Sequence, residues 1–103
     1  MTPELMVDRR VVTEMVRLAA LEVPGVLRVG RGGPAWREIL LGSPIRTRIR
    51  DRGVQVTVWV VARPRQPLVA LARDVRAAVA ASVTRLLAME LCEVTVLVDG
   101  VGA

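Results

Sequence analysis

Cys92, Glu90, Glu93 and Asp99 are the side chains of this sequence with the chemistry of a nucleophile or a proton carrier. None arrives with the partner that such chemistry needs. A thiol attacks as its thiolate and is usually activated by a neighbouring imidazole or cation, yet the chain has one Cys and no His. The same lack removes the commonest general base and the commonest zinc ligand. Ser43 falls in a Gly-Ser-Pro turn and Ser82 on an apolar helical stripe, so neither is prepared for attack. Glu93 and Asp99 fall beside a strand, where solvated charge is the ordinary role of a carboxylate. Cys92 reads as a small apolar residue. The expectation is a protein that is not an enzyme, with no catalytic set, no metal site and no cofactor.

Anion binding is the chemistry that the residue types do support. In "IRTRIRDRG" (Ile45 to Gly53) arginine alternates with apolar residues and Thr. A strand there places Arg46, Arg48 and Arg50 on one face at ~6.6 Å intervals, a spacing able to follow phosphates. Charged residues on the wet face of a sheet are equally ordinary. Sheets that read single strands stack bases on aromatic rings, and Trp59 is the single ring available on this face. "GRGG" (Gly30 to Gly33) fits the G-x-x-G loop of KH domains and contributes Arg31. That loop should join two helices, whereas the preceding "VLRV" reads as strand. The candidate binding residues are Arg46, Arg48, Arg50, Trp59 and Arg31. The charge map agrees: from Arg28 to Arg65 nine arginines face Glu38 and Asp51, a net +7, within a chain of net +5. Nucleic acid, an anionic phospholipid surface and an acidic protein all suit such a segment.

Regular elements must hold these residues in place. After Asp8, a suitable N-cap, Val12, Met15, Val16, Ala19, Ala20 and Val23 recur at helical spacing up to "VPG". Leu5 to Val7 suggests a short strand before this helix. Val26 to Val29 reads as strand, and Ala35 to Leu41 as either a helical turn or a strand. Ile45 to Arg50 and Val54 to Ala62 form a hairpin around Asp51-Arg52-Gly53. Ile45, Thr47 and Ile49 share a face with Val54, Val56, Val58 and Val60, while Trp59 and Thr57 join the arginines on the other. Pro67 opens a long helix with Leu68, Leu71, Ala72, Val75, Val79, Ser82, Val83, Leu86 and Leu87 on one stripe. Cys92 to Val98 closes as a strand.

These patterns predict an α+β fold: a two-layer sandwich with both main helices on one face of a mostly antiparallel sheet of 3–5 strands. The 103 residues suit a single domain spanning 1–103. Hydrophobic residues make up 52% but include no Phe or Tyr, so an aliphatic core is expected. One Cys allows no intrachain disulfide, which fits a reducing compartment. "MTPELMVDRR" has no charged region followed by an apolar run, so no signal peptide is expected. No segment reaches the ~20 apolar residues of a spanning helix.

Three stretches together resemble a known family. "VDRRVVTEMVRLAALEVPGV" (Val7 to Val26) is similar to the opening helix of the bacterial alkaline-shock, or general-stress, protein family. "GVQVTVWVVA" followed by "PLVALARDVRAAVAASVTRLL" resembles its central strand and long helix, and "EVTVLVDGV" its last strand. The family's Tyr-Gly after the central strand is here Pro64-Arg65, a Gly after the long helix is Glu90, and an Asn of the last strand is Thr95. The resemblance implies a non-enzymatic cytoplasmic protein of cell-envelope homeostasis. It would act as a scaffold or adaptor through protein partners and homo-oligomers, in some relatives at the membrane through a separate anchor protein. A KH-like RNA-binding module using the basic sheet face is the alternative.

Overall fold

The computed structural model describes residues 8–50, 53–87 and 91–102, with the side chains of 86–92 outside the description. The element order is α1 (Arg9–Leu21), β1 (Val26–Val29), α2 (Trp36–Leu41), β2 (Ile45–Arg50), β3 (Gly53–Ala62), α3 (Leu68–Leu87) and β4 (Leu91–Val101). The segment Leu5 to Val7, the loop residues Asp51 and Arg52, and the side chain of Cys92 lie outside the described residues.

Helix α1 begins where its sequence says it should. The Asp8 side chain accepts a hydrogen bond from the Arg10 backbone N–H at 2.9 Å, satisfying an otherwise unpaired first-turn donor. Val12, Val16, Ala19 and Ala20 form its buried stripe. In α3 the stripe is Leu71, Val75, Val79 and Val83. Leu68, expected at its start, stands 42% exposed because the helix begins beyond the edge of the core.

Both helices press on one face of a sheet centred on β3, whose Val54, Val56, Val58 and Val60 are fully buried. Ile45 joins them from β2, and Val94 from β4. Thr47, the polar residue on this face, is buried opposite Thr13 with the hydroxyls 3.3 Å apart, so neither is left without a partner. This is the expected two-layer α+β sandwich.

The sheet has a specific topology. β4 runs along one edge of β3 and is parallel to it, with α3 as the crossover such a pairing requires. β1 and β2 are both antiparallel to β3. They share its other edge end to end: Val29 pairs with Val60, and Ile45 with Val58. Trp59 lies between them. Its N–H donates to the Pro44 carbonyl at 2.8 Å, and its carbonyl accepts from the Gly30 N–H at 2.9 Å. Residues 31–43 therefore leave the sheet and return to it at one position, carrying α2 with them.

Candidate functional site

The face of the sheet away from the helices is a grid set by register. Arg46 is opposite Thr57 and Thr57 opposite Thr95; Arg48 is opposite Gln55 and Gln55 opposite Glu93; Trp59 is opposite Leu97. Arg50 extends the β2 row opposite Gly53. Alternation thus delivers the three arginines to one wall, as the sequence implies, with short polar side chains as the floor.

The sequence suggests that this whole face is uncovered, and the structure corrects that. Residues 31–43 fold back over its Trp59 end. Arg31 places its guanidinium 4.1 Å from the Trp59 ring centroid, and Arg46 approaches the same ring at 5.3 Å. Arg31 is only 6% exposed. Its Nη2 donates to the Leu41 carbonyl at 3.2 Å, while its Nε is buried with no partner among the described residues. Arg31 is thus a clamp inside the fold, not part of a contact surface.

The other tie reaches β4. The Gly32 N–H donates to Asp99 Oδ2 at 3.1 Å, and Arg37 Nη1 lies 3.6 Å from the same oxygen. Glu38 Oε1 accepts from the Arg31 backbone N–H at 2.6 Å and lies 3.9 Å from Arg28 Nη1. Asp99 and Glu38, unremarkable as isolated carboxylates in the sequence, are the anchors of this roof. Gly32 packs so closely on the Asp99 carbonyl that no side chain fits between them. "GRGG" accordingly joins β1 to the α2 segment rather than two helices, and Gly30, Arg31 and Gly32 are buried against the protein's own sheet. That geometry leaves no open G-x-x-G backbone for a nucleic acid to lie on.

The uncovered half is a shallow trough of about 250 Å³, lined by Arg46, Arg48, Gln55, Thr57, Glu93 and Thr95. Among the described residues no ion pair involves Arg46, Arg48 or Arg50. Glu93 lies across the trough within 3.5 Å of the Thr95 hydroxyl. Guanidinium groups, hydroxyls and an amide in one open depression suit hydrogen bonding to carboxylates or phosphates. No group of three His, Cys, Asp or Glu side chains comes together among the described residues to hold a metal. No helix among them is long and apolar enough to cross a membrane.

Fold and site define a class: a small two-layer α+β domain whose distinctive surface is a basic, half-roofed sheet face. The chain belongs to the alkaline shock protein 23 family, of cell envelope-related function, whose family model matches residues 2–103. No curated protein matches it. Solved structures of the MamM CTD are similar in fold. A zinc form carrying one substitution aligns with TM-score 0.57 and 20% identity over 88% of this chain and 84% of that one. A manganese form gives 0.58 and 20% over 90% and 99%. A further MamM CTD structure gives 0.59 and 19% over 90% and 99%.

Proposed function

We propose that this domain is a non-enzymatic adaptor of the cell envelope that works by binding other proteins and itself, with the trough beside β2 as its contact for an acidic segment of a partner. The observation that carries the reading is the row Arg46, Arg48 and Arg50, exposed along one edge strand above a floor of Gln55 and Thr57. Guanidinium groups pair carboxylates through two parallel hydrogen bonds, so an extended acidic segment lying along β3 would meet a donor every second residue. Family membership supports the cell-envelope setting.

Pull-down from the native cell, with and without nuclease, tests this against the wild type and an Arg46→Glu/Arg48→Glu variant. A protein with an acidic segment that is held by the wild type, released by charge reversal and by salt, and indifferent to nuclease is the expected result. Partners that vanish on nuclease treatment would instead favour RNA on the same arginines. Self-association is read by light scattering, where a strict monomer at high concentration counts against it.

A further inference from the structure

Helix α2 is built inside out. In "WREILL" the polar side chains Arg37 and Glu38 turn inward and are engaged with Gly32, Asp99, Arg31 and Arg28. The apolar side chains turn outward. Trp36, Ile39 and Leu40 occupy positions i, i+3 and i+4, one face of a helix, and stand 58%, 82% and 74% exposed. Leu41 beside them is also exposed. A surface helix normally does the reverse, and a contiguous apolar projection on a small protein marks a binding site.

The surroundings of the helix indicate what covers it. Arg28 and Arg37 at its foot are balanced by Glu38 and Asp99, and Arg31 is buried, so the exposed charge without an ion-pair partner among the described residues begins beside the roof at Arg46. Arg48 and Arg50 continue the positive surface along the same sheet face. The patch is four side chains on one six-residue helix, few beside the ~20–30 residues that each partner of a stable protein pair contributes. A Trp with flanking aliphatic residues above basic groups is, by contrast, the composition of segments that rest in a membrane interface, with the apolar part at the acyl boundary and the cations at anionic headgroups.

We infer that α2 docks this domain directly onto an anionic lipid bilayer, with Trp36, Ile39 and Leu40 inserted at the interface. The apolar tip is separate from the trough, although Arg46, Arg48 and Arg50 serve both readings, so Ile39→Ser/Leu40→Ser, which leaves the trough lining untouched, separates this inference from the protein-partner reading. The test uses purified full chain and vesicles of phosphatidylcholine, alone or with phosphatidylglycerol at about 30 mol %, where the basic surface should favour the anionic vesicles by on the order of tenfold or more at low salt. Trp emission should move to shorter wavelength on binding, and that shift should be lost in Trp36→Phe. Ile39→Ser and Leu40→Ser, separately and together, change exposed side chains only, so circular dichroism should match the wild type while vesicle binding falls about tenfold or more for the pair. Absence of binding to the anionic vesicles at low salt would overturn the inference. So would binding that survives Ile39→Ser/Leu40→Ser unchanged, which is plain adsorption through arginine. A wild type that is oligomeric by light scattering, turns monomeric in the same variant and ignores vesicles would also overturn it, and would assign α2 to a second copy.

Discussion

Arg65 has a backbone conformation ordinarily left to glycine, with φ of 66°. It follows Pro64 in the turn after β3, where the similar family has a Gly. A residue with a Cβ pays for the left-handed region, so Arg65→Gly should raise stability by about 0.5–1 kcal/mol after the added freedom of the unfolded chain is counted; urea denaturation measures it, and a loss of stability would show that the Arg65 side chain makes a compensating contact. Asp8 offers a titration. Its carboxyl is held below the ordinary 3.8, first by the hydrogen bond from the Arg10 backbone N–H and then by the Arg10 charge. A depressed carboxylate contributes stability above its unfolded value and loses it as pH falls through the lower folded value. Asp8→Asn keeps a good N-cap that does not titrate. The stability advantage of the wild type over this variant should therefore be flat above about pH 5 and shrink below about pH 4, as thermal melts across that range would show.

At the scale of elements, the roof over Trp59 hangs on two kinds of glycine. Gly32 needs space: a Cβ there meets the Asp99 carbonyl on β4, and backbone cannot swing aside as a side chain can. Gly32→Ala should cost about 1–3 kcal/mol and lift residues 31–43 from the sheet, with Trp59 emission moving to longer wavelength as Arg31 withdraws. Gly42 needs conformation instead. Its φ is 85° with open space where a Cβ would stand, so Gly42→Ala should cost only about 1 kcal/mol and leave the emission unchanged. A larger effect at Gly42 than at Gly32 would mean that the return to β2, rather than the Asp99 tie, holds the roof. The hairpin β2–β3, α1 and α3 were all legible from the order of apolar residues, because each is long enough to repeat its period several times. α2 was not: six residues fit a helical turn and a strand equally well, and its geometry depends on Asp99, far along the chain.

Across the whole molecule one aliphatic layer does the work of a core without Phe or Tyr. Among the described residues nine Val side chains are fully buried, drawn from α1, β3 and α3. Stability is thus spread over many small contacts, and Val79→Ala, which removes two methyl groups from the centre of that layer, should cost about 2–3 kcal/mol. A lower midpoint in urea at unchanged slope would confirm it; a changed slope would instead point to loosening of the native state.

Binary pattern by itself determined α1 and α3, the hairpin, the inward faces of the strands and the arginine row, because burial of apolar periodicity is decided locally and applies to any two-layer arrangement. Tertiary structure alone decided that β4 lies parallel to β3, that β1 and β2 share one edge, and that residues 31–43 close over Trp59. It also turned Arg31 from a candidate contact into an internal clamp. The sharpest case is "WREILL": the sequence shows two faces, but which one turns inward depends on whether Arg37 and Glu38 find partners in the fold. Asp99, Arg28 and the backbone of Arg31 and Gly32 supply them, so the polar face is the one held down and the apolar face is left to meet whatever lies outside.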